Sequence, residues 1–284
     1  MKRFTDRVAV VTGAAGGIGR ATALLLAEKG CSLAIADVNE RGLAETAELI
    51  EKLGRKVSTH KVDVSDKARM QEFVGEVLEA HGRVNIVINN AGVAVLSSFQ
   101  DHKLEDFEWL MGVNFWGVVY GCKFFLPALL EADEAHIVNL SSLFGLTGVP
   151  LQTSYCASKF AVRGFTESLR MELHDTNVGV TNIHPGGIAT DIVASSRVNG
   201  GADMEKRKQS TARAFTKMMP PSEAAALIVR GIERNSPRVL ITRETYVADG
   251  FKRLLPAASV DLIAWGYSRM NERQAKRQAA RAAR

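Results

Sequence analysis

Cysteine is scarce in this chain of 284 residues, with Cys31, Cys122 and Cys156 as its only examples. They lie far apart, and neither a Cys-x-x-Cys pair nor a histidine and cysteine cluster has the spacing of a zinc site. The scarcity excludes a small fold stabilised by disulfides and favours a reducing compartment. We therefore expect a cytoplasmic protein without a metal site.

Long apolar runs are also missing. No run of about 20 apolar residues occurs, which predicts that no helix spans a membrane. The N-terminal stretch MKRFTDRVAVVTGAAGG begins like a secretory signal, but Asp6 and Arg7 interrupt it and its apolar part ends in glycines. No proline-rich or serine-rich linker and no internal repeat divides the chain. A composition of 46% hydrophobic and 24% charged residues fits one large α/β domain with its own core.

Charge is unevenly distributed along the chain, whose formal net charge is +5. Residues 269–284 include six basic residues and one acid, Glu272, so this tail alone carries the net charge of the whole chain. Residues 1–268 are therefore neutral overall. The charge balance therefore gives no support to a basic groove for nucleic acid in residues 1–268, and we expect no nucleic-acid partner.

Short apolar runs alternate with amphipathic stretches through most of the sequence. Within the runs, apolar residues do not alternate with polar ones, as expected of strands that are buried on both faces of a parallel sheet. Right-handed connections through helices give a doubly wound sheet, a Rossmann domain. Seven strands are predicted, at RVAVVT, SLAIAD, KVSTHKVDV, NIVINNAG, AHIVNLSS, VGVTNIHPGG and RVLIT. We assign residues 1–245 to this domain and residues 246–284 to a helical extension with a basic tail.

A glycine-rich turn, TGAAGGIG at residues 12–19, lies directly between the first strand and the first helix. Glycines there permit a tight turn and let the backbone approach a pyrophosphate, which the N-terminus of the helix stabilises. Asp37 ends the second strand, where a carboxylate suits the ribose hydroxyls of an adenosine and repels a 2′-phosphate. Because neither Ala15 nor Val38 is basic, NAD is favoured over NADP. The alternative is that Asp37 caps the following helix.

Further motifs follow in order: Asn89-Asn90-Ala91-Gly92, Asn114, Ser142, Tyr155 with Lys159, and Pro185-Gly186. Together with the glycine turn, their order and spacing resemble the short-chain dehydrogenase/reductase family over roughly residues 5–245. The TGxxxGxG spacing resembles the compact dehydrogenase branch rather than the epimerase/dehydratase branch. The resemblance implies an oxidoreductase that transfers a hydride between a nicotinamide cofactor and its substrate.

Tyr155 and Lys159 lie four positions apart and would share one face of a helix. Without the resemblance, the default interpretation is an ordinary surface pair. The resemblance implies instead that Tyr155 is the general acid/base. A free phenol has a pKa near about 10, and an adjacent ammonium together with an oxidised nicotinamide ring would lower it. A shift of two to three pKa units requires only about 3–4 kcal/mol.

The resemblance also implies roles for a serine and an asparagine. Ser142 would hydrogen-bond the substrate oxygen, with Ser141 as the competing candidate because only one of two adjacent strand residues faces the site. Asn114 would hold a water that links Lys159 to solvent, a role compatible with stabilising a local helix distortion. The implied cofactor-binding residues are Gly13, Gly17, Ile18, Gly19, Asp37, Asp63, Val64, Asn90, Ala91, Gly92, Tyr155, Lys159, Pro185, Gly186, Ile188 and Thr190.

Residues 191–221 are polar and predicted to be irregular, and by resemblance they form the substrate loop. The apolar side chains in this stretch predict a hydrophobic secondary alcohol or ketone as substrate, although they could simply pack the loop at rest. Gly187 stands where many family members have a bulkier residue, which predicts a looser loop around Ile188 and Thr190. The histidines are scattered, and His184 comes closest to a catalytic position.

The extension at residues 246–284 combines apolar residues with the basic tail. It would form either an amphipathic surface for a membrane or a partner, or a helix that covers the substrate opening, and the second is favoured. The helices predicted at 104–131 and 155–174 resemble the subunit contacts of the family, which predicts a homodimer or homotetramer. The alternatives for function are an NADPH-dependent carbonyl or ketoacyl-type reductase and a non-catalytic NAD-binding protein.

Overall fold

Parallel strands form the framework of the computed structural model, which describes residues 1–282. They are β1 (Val8–Thr12), β2 (Ser32–Asp37), β3 (Val57–Lys61), β4 (Ile86–Asn89), β5 (Val95–Leu96), β6 (Ala135–Leu140), β7 (Val178–Pro185), β8 (Arg197–Val198) and β9 (Arg238–Ile241). Seven of them form one sheet in the order β3-β2-β1-β4-β6-β7-β9, and β5 pairs with β8. All pairings in the large sheet are parallel, so the predicted fold class is confirmed.

The helices are α1 (Gly17–Glu28), α2 (Glu40–Lys52), α3 (Lys67–His81), α4 (Leu104–Met111), α5 (Gly117–Glu131), α6 (Thr153–Glu172), α7 (Gly201–Phe215), α8 (Pro221–Glu233), α9 (Arg243–Leu254) and α10 (Ala258–Ala282). Local sequence sets several of their ends. The Asn39 side chain accepts a hydrogen bond from the N–H of Gly42 at the start of α2, and Asp66 does the same for Arg69 in α3. Gly82 ends α3 with a φ of 74°, a conformation that favours glycine.

Two apolar layers cover the sheet, one on each face. Ala9 and Val11 of β1 pack with α1, α2 and α8, whereas Val10 packs with α3, α5 and α6. Because successive strand side chains point to opposite faces, both sets must be apolar. This arrangement explains why the strands read as continuous apolar runs.

The strand order reverses between β1 and β4, since the chain moves outward from β1 through β2 and β3 and then returns to the other side. In parallel sheets, ligands bind beyond the carboxyl ends of the strands at such a reversal. Thr12, Asp37, Asn89 and Pro185 are the last residues of β1, β2, β4 and β7. The topology therefore brings the sequence motifs to one edge of the sheet.

Two segments differ from the sequence-based expectation. Residues 104–131 are not one uniform helix, because a π-helical stretch, Gly112–Trp116, separates α4 from α5. Residues 191–221 are not irregular, because they contain β8 and the 15-residue α7. Since α7 has no buried residue, it lacks the apolar stripe on which helix prediction depends.

The segment Leu104–Glu131 is long and apolar enough to cross a membrane by length and composition alone, although the sequence predicts no such span. In the fold, Leu110, Phe125 and Leu129 of this segment are fully buried. Phe125 and Leu129 belong to the apolar layer shared with α3 and α6. Its place in this core accounts for the apolar composition.

Candidate active site

The glycine turn (residues 12–19) is folded against the turn that follows β4. Asn90 Nδ2 donates hydrogen bonds to the carbonyl oxygens of Thr12 (2.9 Å) and Gly13 (3.0 Å). Thr12 Oγ1 accepts from the backbone N–H groups of Asn90 and Ala91 at 3.0 and 3.1 Å. Gly13 has a φ of 67°, and a Cβ there would lie 2.8 Å from the Cα of Ala91. The Asn90 side chain, predicted to bind the cofactor, therefore holds the glycine turn itself.

Gly17 and Gly19 leave a cradle at the start of α1. A Cβ on Gly17 would lie 3.0 Å from Cγ2 of Thr190, and one on Gly19 would overlap the carbonyl oxygen of Gly13. The half-buried Ile18 between them packs on the apolar core. No side chain caps α1 at Gly16, so the first N–H groups of the helix are free for a ligand. The glycines leave a space that any larger residue would occupy, and this space lies beside the uncapped N-terminus of α1. Such an arrangement fits a pyrophosphate, because helix N–H groups bind anions.

Asp37 lies beside this cradle. Its Oδ2 accepts from the N–H of Ala15 and its Oδ1 from the N–H of Asn39, each at 3.0 Å. The cap of α2 is Asn39, whose side chain accepts from Gly42 at 3.1 Å. The alternative in which Asp37 caps this helix is therefore wrong, and its carboxylate instead faces the glycine turn.

Arg20 is a cation at the same turn that no sequence motif singles out. Its Nη2 donates to the carbonyl oxygens of Ala15 (2.6 Å) and Gly42 (3.1 Å), and it pairs with Glu45 at 3.0 Å. The hydrogen bond from Arg20 lowers the pKa of the Glu45 carboxyl. A positive charge is therefore present near the predicted adenosine site, although the residues at 15 and 38 are not basic.

Asp63 and Val64 follow β3. The Asp63 carboxylate accepts from the N–H and the hydroxyl of Ser65 at 2.9 and 2.7 Å. Val64 is buried, and a Cβ on Gly117 of α5 would lie 2.7 Å from its Cγ2. The Val64 side chain thus belongs to the core, which leaves only its backbone for the predicted cofactor contact.

Ser142, Tyr155 and Lys159 come together at the carboxyl edge of the sheet. Tyr155 and Lys159 lie one turn apart at the start of α6, and Lys159 Nζ is 5.7 Å from the centre of the Tyr155 ring. Nζ also donates to the carbonyl oxygen of Leu140 at 2.9 Å, where β6 ends. Two residues further on, the Ser142 hydroxyl lies near enough to the phenol to lower the pKa of Tyr155 in part. The structure therefore brings a half-buried phenol together with a buried ammonium and a buried hydroxyl.

The adjacent serines point in different directions. The buried Ser141 hydroxyl donates to the carbonyl oxygen of Lys159 at 2.8 Å. The Ser142 hydroxyl accepts from the N–H of Phe144 at 3.1 Å, and the Ser142 carbonyl accepts from Nδ1 of His184 at 3.0 Å. Ser141 is thus committed to the backbone of α6, and Ser142 is the serine beside Tyr155. His184 supports its backbone.

The protein groups shift both pKa values of the Tyr155 and Lys159 pair. Burial raises the pKa of Tyr155 to about 12, and the contact with Ser142 opposes this rise only in part. Burial lowers the pKa of Lys159 to about 8. Desolvation is thus the largest influence on the pKa of the phenol, and a lowering by Lys159 and a bound nicotinamide stays a prediction.

Asn114 lies in the π-helical stretch and is fully buried. Its Oδ1 accepts from the N–H of Val93 at 2.8 Å, and its Nδ2 donates to the Val93 carbonyl at 3.0 Å and to the Ser158 hydroxyl at 3.2 Å. A Cβ on Gly92 would lie 3.4 Å from Asn114 Oδ1 and 3.5 Å from Lys159 Nζ. Asn114 therefore ties the distorted helix to a turn beside Lys159, and its part in a water relay stays a prediction.

The β7 loop (residues 186–190) lies next to the cradle through Thr190. Its Ile188 is buried, and the N–H of Ala189 donates to the carbonyl oxygen of Met219 at 2.9 Å. The N–H of Gly187 donates to Oε1 of Glu244 at 2.9 Å. A Cβ on Gly187 would overlap the sulfur of Met218. The expected loosening of this loop is therefore wrong, because glycine at 187 admits close packing of Met218.

These features define a dinucleotide-binding α/β protein, and comparison with known proteins gives its family. Residues 7–200 match the family described as short chain dehydrogenase. The Mycobacterium tuberculosis protein SadH, assigned as an oxidoreductase, is 40% identical over 95% of this chain and 98% of its own length. Cyclohexanol dehydrogenase of an Acinetobacter species is 28% identical over 87% of this chain and 95% of its own.

A solved structure leads to the same family. The crystal structure of a short chain dehydrogenase/reductase from Burkholderia phymatum in complex with NAD superposes with a TM-score of 0.86. The two sequences are 30% identical, and the match covers 91% of this chain and 97% of that one. The chain belongs to the short-chain dehydrogenase/reductase family, whose members are oxidoreductases that use nicotinamide cofactors.

Proposed function

We propose that this protein transfers a hydride between NAD and a hydrophobic secondary alcohol or ketone, with Tyr155 as the general acid/base. The observation that carries the proposal is the grouping of Tyr155, Lys159 and Ser142 at the carboxyl edge of the sheet. The nicotinamide, when bound, supplies the site that accepts or donates the hydride. The glycine turn and Asp37 would hold the pyrophosphate and the adenosine ribose, and the β7 loop would hold the nicotinamide carboxamide through the backbone of Ile188.

Each of these side chains has a defined task in the proposed reaction. The ionised Tyr155 phenolate would take the proton of the alcohol during oxidation, and the Tyr155 hydroxyl would donate a proton to the ketone oxygen during reduction. The Ser142 hydroxyl holds the substrate oxygen and stabilises the charge that develops on it. Because the pKa of Lys159 remains near 8, its ammonium is still charged at neutral pH and favours ionisation of the phenol.

Replacing Tyr155 with Phe tests the proposal. The variant removes the hydroxyl but keeps the ring that meets Phe144 edge-on at 6.1 Å, so the fold and cofactor binding should survive. We expect turnover to fall by about 10²–10⁴-fold, measured by nicotinamide absorbance. Tyr246→Phe, on the exposed surface of α9, is the matched control and should retain full turnover. Full activity in Tyr155→Phe would refute the assignment.

The preference for NAD is supported by Asp37. Its carboxylate lies beside the glycine turn and would repel a 2′-phosphate, so Asp37→Ala should bind NADPH at least about tenfold more tightly than the wild type does. Fluorescence titrations of both proteins with NADH and NADPH provide the measurement. A wild-type preference for NADPH would contradict the proposal.

An NADPH-dependent reductase is the second candidate, and Arg20 favours it. Its guanidinium lies 2.6 Å from the Ala15 carbonyl and could meet a phosphate on the ribose, although Glu45 already pairs with it. If the wild type prefers NADPH and Arg20→Met loses that preference, the cofactor selectivity belongs to Arg20.

The apolar character of the substrate is supported by two observations. The Phe144 ring stands against Tyr155, and the related Acinetobacter enzyme is named for a cyclic secondary alcohol. The loop side chain Met218 is 37% exposed and packs on Gly187 next to the predicted nicotinamide contact. A panel of secondary alcohols and ketones, with steroid-like, terpenoid and long-chain members, would identify the class. Hydride transfer with any of them would eliminate a purely cofactor-binding role.

We also propose a homodimer or homotetramer that assembles through α5 and α6. Ala157 and Gly164 of α6 are exposed small residues, and Trp116, which precedes α5, stacks on Tyr120 while remaining 48% exposed. Light scattering after gel filtration would give the mass of the assembly.

The free and buried state of all three cysteines supports the proposal of a cytoplasmic location.

A further inference from the structure

We propose that Glu244, in the first turn of α9, is a positioning residue that holds the β7 loop in place at the nicotinamide end of the cofactor site. The inference rests on the proposed function, because the β7 loop is assigned to the nicotinamide there. It gives the start of the C-terminal helices a part in the site, whereas the sequence motifs all lie before residue 191.

The contact joins residues 57 positions apart in the sequence. Glu244 Oε1 accepts the backbone N–H of Gly187 at 2.9 Å. At the preceding residue, the N–H of Gly186 donates to the carbonyl oxygen of Ile241 at 3.1 Å. A Cβ on Gly186 would lie 2.6 Å from Glu244 Oε1 and 2.8 Å from Thr245 Oγ1. Two successive glycines therefore let the loop backbone lie directly on the start of α9.

The start of α9 has a strained backbone at the same place. Thr242 has a φ of 80° and a ψ of 150°, a conformation that a β-branched residue rarely adopts. Its hydroxyl lies 3.1 Å from that of Thr245, which is fully buried and donates to the carbonyl oxygen of Ile241 at 2.8 Å. Such strain persists where surrounding contacts impose it, and it is concentrated at functional sites. Here it sets the direction in which the chain enters α9, two residues before Glu244.

The acceptor on Glu244 is a carboxylate rather than a neutral acid. Burial raises the pKa of Glu244, but hydrogen bonds from the N–H groups of Gly187 and Glu244 and from the Thr242 hydroxyl outweigh it, so the pKa lies below its ordinary value. A hydrogen bond to an ionised acceptor is stronger than one to a neutral group.

Glu244 supplies the hydrogen-bond acceptor for the Gly187 N–H, at a residue against which Met218 also packs. The far side of the loop is held by the bond from Ala189 to the Met219 carbonyl and by burial of Ile188. The Gly187 N–H would lose its partner without Glu244. Elsewhere on α9, Asp249 accepts from Arg238 of β9 through both oxygens at 2.9 Å. The helix therefore has an anchor of its own that does not touch the loop.

Ligand binding to Glu244→Ala tests the inference, with NADH and ADP-ribose as the two probes. ADP-ribose lacks the nicotinamide, so a loop that positions the nicotinamide should affect NADH alone. We expect the Kd of NADH to rise about tenfold or more and that of ADP-ribose to change by less than about twofold, measured by fluorescence titration and calorimetry. Glu244→Gln keeps a carbonyl acceptor for Gly187 and should recover most of the NADH affinity.

Asp249→Ala is the matched control, because it weakens the attachment of α9 without touching the loop. It should leave the ratio of the two Kd values unchanged at a temperature where all variants are folded. Equal losses for both ligands in Glu244→Ala, or no loss for either, would overturn the role of Glu244. The measurement does not depend on turnover. If the wild type is active but Glu244→Ala has the same ratio of NADH to ADP-ribose Kd values as the wild type, this inference alone is refuted. A wild type that binds NADH but transfers no hydride to the substrate panel refutes the proposed function instead.

Discussion

The group around Lys159 and the C-terminal helices differ sharply in how far they are shielded from water. Lys159 is 3% exposed and Asn114 is fully buried, whereas α7 has no buried residue and Trp265 of α10 is 57% exposed. The first region is held by hydrogen bonds to the backbone at the strand ends. Within the second region, the Arg207 guanidinium of α7 lies 5.1 Å from the centre of the Tyr267 ring of α10.

This difference shows that the fold places the candidate catalytic residues in a shielded region and the exposed helices α7 and α10 in a region that can open more easily. A buried, hydrogen-bonded group keeps its geometry, and segments with little burial open at lower free energy. Substitutions that remove buried contacts near the sheet edge should therefore change stability as well as turnover, whereas Tyr155→Phe, which keeps its ring, should change turnover alone. Substitutions in α7 and α10 should leave the core intact, and only residues such as Glu244 that touch the site should alter ligand binding.

The largest effect on stability is expected from Gly19→Ala. A Cβ there would overlap the Gly13 carbonyl oxygen and lie 2.5 Å from Asn90 Nδ2. Because Gly13 directly follows β1, its backbone cannot move away without disturbing that strand. We expect the free energy of unfolding to fall by about 3 kcal/mol, measured by urea denaturation. Gly16→Ala in the same turn has an extended backbone and no atom within 4 Å of the new Cβ. The free energy of unfolding of Gly16→Ala should stay close to that of the wild type. Equal decreases in Gly16→Ala and Gly19→Ala would contradict the close packing around Gly19.

A somewhat smaller effect is expected from the buried charge of Lys159. Its pKa falls from 10.5 to about 8 on folding, so the unfolded chain binds more protons between these pH values. The free energy of unfolding should therefore rise with pH in this window, by about 2 kcal/mol between pH 8 and 9.5. Tyr155, whose pKa is raised to about 12, acts in the opposite direction only above about pH 10.

Lys159→Met should lack this rise. Urea denaturation at pH 8 and 9.5 would show a smaller pH dependence than in the wild type, and Lys52→Met on the exposed surface of α2 should keep the wild-type dependence. An identical pH dependence in Lys159→Met and the wild type would mean that the ammonium is better solvated than its surroundings indicate.

The smallest effect is expected from the outer contact between α7 and α10. Tyr267→Leu keeps an apolar side chain but removes the ring that faces Arg207, and exposed pairs of this kind contribute about 0.5–1 kcal/mol. The free energy of unfolding should fall by no more than that, and the Kd of NADH should not change. A loss as large as that of Gly19→Ala would show that the C-terminal helices belong to the cooperative core.

Much of the fold could be predicted because its signals are local. Apolar runs mark the seven strands, Gly82 ends α3 through its left-handed backbone, and Asn39 starts α2 through the hydrogen bond that its side chain accepts from Gly42. The motif at Tyr155 and Lys159 depends on the spacing of one helical turn. The helix α7 could not be predicted in this way, since none of its residues is buried and its few apolar side chains do not form a core-facing stripe. The π-helical stretch likewise depends on the contacts of Asn114 with Val93.

By itself, the sequence determined the doubly wound sheet, the edge at which the site lies and the family to which the chain belongs. Only the tertiary structure decided which of the two serines lies beside Tyr155, that Arg20 reaches the glycine turn, and that Glu244 holds the β7 loop. It also decided the direction of the Tyr155 pKa, which burial raises. The physical reason is that burial and hydrogen bonding join residues far apart in the chain, whereas strand and turn preferences are written in neighbouring residues.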